Sequence, residues 1–99
     1  MNIDIRKDGR TLTAIPEERI DTLTAPEFQD RMEAELGDAE DLVIDFSKVS
    51  YVSSAGLRAL LALAQAMEDR DGTIKGVNVS AFLQKAFALT GFLEILNVD

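Results

Sequence analysis

Residues 51–67 read YVSSAGLRALLALAQAM. The stretch changes character after Val52. From there Leu57, Leu60, Leu61, Ala64 and Met67 recur at three- and four-residue intervals, the apolar stripe of a helix lying against a core. Ala59, Ala62, Ala64 and Ala66 are small and permit a close approach to a sheet. A helix that starts at Ser54 or Ala55 places Ser53 and Ser54 at its N-terminus, and Asp71-Gly72 breaks it.

The flanks supply partners for this helix. Ile3 and Ile5 alternate with polar residues as in a half-buried strand. Asp8-Gly9 is a hairpin signal, and Leu12 to Ile15 reads as the return strand, ended by Pro16. Thr24-Ala25-Pro26-Glu27 has the spacing of a capping box, followed by an apolar stripe of Phe28, Met32 and Leu36 and a stop at Gly37. Leu42-Val43-Ile44 is apolar without alternation, which predicts a strand covered on both faces. A strand over 73–79 follows despite Gly76 inside it. Ser80 caps a third helix with apolar positions Phe82, Leu83, Ala86, Phe87 and Leu89, ended by Gly91, and residues 93–98 read as a last short strand.

The expected fold is therefore a single α/β domain over residues 1–99, of order β-β-α-β-α-β-α-β. Its sheet is mixed and mostly parallel, with about four to five strands, an N-terminal hairpin and about three helices. There is no internal repeat, linker or low-complexity segment.

Composition removes several function classes. The formal charge is −8 and the isoelectric point is near 4.4, so neither nucleic acid nor an anionic membrane surface is an expected partner. With no cysteine and no histidine, thiol chemistry, zinc ribbons and the commonest general base are all missing. No P-loop or dinucleotide-binding glycine motif occurs, and no catalytic, metal or cofactor residue is assigned. Asp38, Glu40 and Asp41 form the densest acidic cluster, and it reads as a solvated loop. MNIDIRKDGR has no apolar signal region, and no apolar run approaches the ~18 residues of a membrane span. A soluble, cytoplasmic binding protein is expected.

The serine pair then has two readings. In one, a hydroxyl caps the helix by accepting a free backbone N–H. In the other, a free hydroxyl stands where the helix N-terminus favours an anion, so that phosphorylation adds charge without destroying the helix. Arg58 lies four residues after Ser54, either near that first turn or as a solvated face residue.

IDFSKVSYVSSAGLRALL, residues 44–61, resembles the signature of the STAS domain, in its bacterial anti-sigma factor antagonist branch. RIDTLTAPEF (19–28), VNVS (77–80) and LTGF (89–92) extend the likeness in order over most of the chain. The resemblance implies a STAS-like α/β domain without catalytic activity or cofactor. It implies a partner that is both an anti-sigma factor and a serine kinase of the GHKL type, with a serine phosphatase as its counterpart. Binding frees a sigma factor, and phosphorylation of a serine at the start of the second helix ends it. Aligned on Gly56-Leu57, that serine is Ser54, with Ser53 as the fallback. Ser53 occupies the place of the family's usual aspartate, and Glu18 that of a usual glycine. Asp21, Thr22, Ser53, Ser54, Gly56, Leu57 and Arg58 are the implied partner-binding residues, on a monomer or weak dimer. The alternative is a constitutive accessory or scaffold subunit of a larger signalling or transport complex, in which Ser54 does not switch.

Overall fold

Gly9 adopts a φ of +61°, a left-handed conformation open to glycine at little cost, and the chain turns there. The turn is Gly9-Arg10, one residue later than the Asp8-Gly9 signal, and joins β1 (Ile3–Asp8) to β2 (Thr11–Pro16). The computed structural model describes residues 1–98; Asp99, the last residue of the expected domain, lies outside the described residues. β3 (Glu18–Ile20), α1 (Ala25–Leu36), β4 (Asp41–Asp45), β5 (Val49–Val52), α2 (Ser54–Asp69), β6 (Thr73–Val77), α3 (Ala81–Thr90) and α4 (Phe92–Leu96) follow.

The main sheet has the order β1-β2-β4-β6. β1 runs antiparallel to β2, while β2, β4 and β6 are mutually parallel. This is the mixed, mostly parallel α/β sheet expected, with the hairpin at one edge. β3 and β5 form a separate two-stranded parallel sheet, in which Arg19 pairs with Tyr51 and Ile20 with Val52.

Burial alternates along β2 and β4, so only one face of the sheet is packed. Leu12, Ala14, Leu42, Ile44 and Ile74 point to that face and meet Phe28 and Met32 of α1 and Leu60, Leu63 and Met67 of α2. The opposite face, with Thr11, Thr13, Ile15, Val43 and Lys75, holds no buried residue among the described residues. This corrects the expectation of a strand covered on both faces: Ile44 is fully buried, whereas Val43 is half-buried. Gly76 is accommodated in β6 because its missing side chain makes room for Phe46, whose ring a Cβ there would approach to 3.1 Å.

Two further readings are corrected. Residues 93–98 do not form a strand. Gly91, at φ +79°, ends α3, and α4 begins at once. The buried residues of α4 are Phe92 and Leu96, at helical rather than alternating spacing. Two residues after α4 reach the sheet: Asn97 Nδ2 donates to the Ile74 carbonyl at 3.0 Å, and Val98 forms an isolated bridge to Gly76. The buried stripe of α2 is also rotated from the expected one: Ala59, Leu60, Leu63 and Met67 are buried, while Leu57, Leu61 and Ala64 are half-buried.

In the acidic loop Asp38 and Glu40 are exposed, as expected of a solvated loop, and two of its carboxylates have partners. Glu40 pairs with Arg10 at 2.7 Å, and Asp41 accepts the Thr73 hydroxyl at 2.6 Å. No group of residues that could hold a metal ion occurs among the described residues. None of the described helices is long and apolar enough to cross a membrane.

Candidate functional site

The site grows from the two-stranded sheet. Ile20 ends β3 beside Val52, which ends β5, so two chain crossings leave the sheet side by side. One becomes the Asp21–Thr24 loop and α1. The other becomes Ser53 and α2. The Ser53 amide donates to the Ile20 carbonyl at 2.9 Å and links the two exits. Gly56 is buried against the same carbonyl; a Cβ there would run into the Ile20 oxygen and lie 2.8 Å from Val52 Cγ1. Glycine is required at this position by close approach, since its backbone is ordinary helix.

The two serines divide the two roles. Ser53 is extended, at φ −86° and ψ 177°, and its Oγ accepts the Gly56 N–H at 3.2 Å. It is the N-cap. Ser54 is the first helical residue, exposed, and its hydroxyl has no hydrogen-bond partner among the described residues.

The expected capping box at Thr24 does not form. Thr24 itself is in a helical conformation and makes no side-chain cap bond. Its hydroxyl donates to the Arg19 carbonyl at 2.7 Å, and it accepts the Asp21 N–H at 2.9 Å. Glu27 reaches the terminal amine of Met1 instead, at 2.8 Å. Asp21 organises the turn: its Oδ1 accepts the amides of Leu23 and Thr24 at 3.0 and 3.1 Å. Arg19 Nε lies 3.3 Å from Oδ2. The Thr24 amide is the chief reason that the Asp21 carboxyl sits below its ordinary pKa; burial opposes this and is outweighed with help from Leu23, the Thr24 hydroxyl and Arg19.

Thr22 and Arg58 both line an open cleft of about 370 Å³ between α1 and α2, together with Asp30 and the small residues Ala25, Ala55 and Ala59. Arg58 makes no ion pair among the described residues. The structure thus gathers Asp21, Thr22, Ser53, Ser54 and Arg58 around the starts of α1 and α2. Gly56 is buried beneath them, and Leu57 is half-buried and packed partly on the core.

Two side chains beside these residues escaped the sequence reading. Leu23 is 87% exposed in the Asp21 loop. Tyr51, also exposed, lies under the Arg19 guanidinium, 4.6 Å from the ring centroid. The signal for both was their place next to a junction, since neither falls on an apolar stripe. Glu18, where the resemblance expects glycine, has a φ of +70°, the left-handed region in which glycine is the unstrained residue.

A family model described as Mlab, STAS domain matches residues 5–97. Among curated proteins, the anti-sigma-B factor antagonist of Bacillus subtilis is 24% identical over 99 residues, covering all of this chain and 91% of that protein. Its name is that of a regulatory factor and not of an enzyme. Among solved structures, an anti-sigma factor antagonist from Mycobacterium paratuberculosis superposes with a TM-score of 0.85 at 23% identity, covering 98% of this chain and 83% of the other. The Bacillus cell fate determinant SpoIIAA in its phosphorylated form superposes with a TM-score of 0.76 at 16% identity, covering 99% and 91%. At these identities the two structures report a shared fold.

Proposed function

Because the chain belongs to the STAS domain family, we propose that it is an anti-sigma factor antagonist switched by phosphorylation of Ser54. It binds an anti-sigma factor that is also a GHKL-type serine kinase and thereby frees a sigma factor. The kinase phosphorylates Ser54 and the complex dissociates; a serine phosphatase restores it.

The observation that carries this reading is the division of labour between the serines. Ser53 meets the capping need of α2, so Ser54 is left as an exposed hydroxyl with no structural duty. A phosphoryl group on Ser54 is compatible with the fold, because a helix N-terminus stabilises an anion by about 0.3–1 kcal/mol. Arg58, one turn further along α2, is a cation within the same surface. The phosphate is incompatible with a docked partner, because burying an unpaired charge of about −1.5 to −2 is costly. Asp21, Thr22, Ser53, Gly56, Leu57 and Arg58 make up the rest of the proposed contact surface, with Gly56 acting through the backbone geometry that it permits.

Titration calorimetry against the cognate kinase tests the reading. Ser54→Asp should keep the melting curve of the parent chain and weaken binding at least about tenfold, or about 1.4 kcal/mol. Ser54→Ala should still bind. Undiminished binding by Ser54→Asp would remove the switch from this residue.

A second reading has its own support. The matching family model is named for MlaB rather than for an antagonist. A constitutive accessory subunit of a transport or signalling complex would use the same surface without phosphorylation. Mass spectrometry of the purified complex separates the two, by the partner's identity and by the presence or absence of phosphate on Ser54.

A further inference from the structure

Residues 72–93 contain no aspartate or glutamate, in a chain that carries 18 of them; their only charges are Lys75 and Lys85. The same stretch holds three of the five large hydrophobic residues left exposed among the described residues. Phe82 is 64% and Leu89 82% exposed on α3, and Leu93 is 36% exposed at the start of α4. These are not spare core residues, because α3 already buries Leu83 and Phe87 on its other side. Phe82, Ala86 and Leu89 lie four and three residues apart and form a second apolar stripe along the helix.

We infer that this stripe is a homodimer interface, in which α3 packs antiparallel on the α3 of a second copy about a two-fold axis near Lys85 and Ala86. The stripe is self-complementary under that operation. Antiparallel pairing sets Phe82 of one copy against Leu89 of the other, and Ala86 meets its own counterpart at the crossing. A small residue at the crossing lets the helix axes approach, and an isologous contact needs only this one patch on each chain. Charge permits the same face. Two copies each carrying −8 repel wherever carboxylates meet; the stretch brings none to the contact, and its exposed Lys85 lies beside the stripe, where the ammonium groups of the two copies stay in solvent. The patch is small, so the dimer is weak and forms at high protein concentration. None of its residues belongs to the Ser54 surface, so the inference stands whether or not that reading holds.

Sedimentation equilibrium on the full chain provides the test. Up to about 1 mM the chain should show a reversible monomer–dimer equilibrium. The dimer should tighten as salt is added, because screening relieves the repulsion of like-charged chains. Leu89→Glu should raise the dissociation constant at least about tenfold. Phe82→Gln should weaken association in the same direction. Leu23→Glu, at an equally exposed leucine outside the patch, should leave association unchanged. Since the chain has no cysteine, Ala86→Cys introduces a single thiol that should form a cross-linked dimer on mild oxidation, whereas Gln65→Cys on α2 should not. A chain that stays monomeric to about 1 mM overturns the inference. So does a dimer indifferent to Leu89→Glu and Phe82→Gln, or a patch that binds a different protein while the chain remains monomeric.

Discussion

The Ser53 amide and the Ile20 carbonyl, 2.9 Å apart, join the exits of two separate strand-to-helix crossings. The loop that carries Asp21 begins one residue after the acceptor, and the helix that carries Ser54 begins one residue after the donor. The relative placement of Asp21 and Ser54 is therefore set by strand pairing between β3 and β5. Beyond these exits α1 and α2 pack on one another and share the core.

If Ser53 alone is the cap, alanine should separate the two serines. Ser53→Ala should cost about 1 kcal/mol of unfolding free energy, the usual worth of an N-cap. Ser54→Ala should stay within about 0.5 kcal/mol of the parent, as for an unpartnered surface residue. Chemical denaturation of the two variants measures this, and equal costs would contradict the division of roles.

Gly56→Ala is expected to be destabilising even though alanine is the better helix former by about 1 kcal/mol. The added methyl group collides with the Ile20 carbonyl and with Val52 Cγ1, and both neighbours belong to the paired strands. A net loss of about 1–3 kcal/mol should appear in the denaturation midpoint. Amide chemical shifts at Ile20 and Ser53 should move with it; a neutral substitution would show that the strand ends yield easily.

The one-sided sheet separates neighbours in β4. Ile44→Ala should cost about 2–5 kcal/mol, because the side chain is fully buried among helix residues. Val43→Ala removes a half-buried side chain from the open face and should cost about 1 kcal/mol or less. Similar losses at the two positions would place a cover over the open face.

Asp21 supplies a pH signature. A carboxyl whose folded pKa lies below its unfolded value contributes stability that is complete above the unfolded value of about 3.9 and is lost as the pH falls through the folded value. The amides of Leu23 and Thr24 that hold the carboxylate are equally available to an asparagine oxygen, so Asp21→Asn removes the charge and keeps the turn. The stability difference between parent and Asp21→Asn should be constant near neutrality and close below about pH 3.9. A difference that persists unchanged into acid would assign the effect to geometry instead of charge.

The legible parts of this fold were those written in local chemistry. Ser80 and Gly91 bracket α3 as their side-chain and backbone preferences dictate, and Gly9 marks the hairpin turn. The strand formed by β5 was hidden because its buried residues, Val49 and Val52, stand three apart. The pairing register slips between Glu18 and Arg19, so the usual two-residue alternation is absent. Residues 93–98 misled because Leu93, Ile95 and Val98 suit a strand locally, and only the tertiary burial of Phe92 and Leu96 selects a helix. At the site, the junction and its serines could be read directly, but which serine caps depends on ψ at Ser53, and one residue's shift in the helix start would exchange the roles. The Thr24 box does not form because partners within its own loop, the Arg19 carbonyl and the Asp21 amide, take up its hydroxyl.

The contact between Arg19 and Tyr51 has an optical consequence. Tyr51 is the only tyrosine, and the chain has no tryptophan, so with excitation beyond the phenylalanine band the emission comes from one ring on β5. A guanidinium 4.6 Å above that ring, itself engaged with the Asp21 carboxylate, makes the emission sensitive to whatever happens to this pair. Fluorescence from the unlabelled protein thus reports on one corner of the molecule, two residues from Ser53. Quenching or recovery of that signal follows events there without a dye, a tag or a substitution.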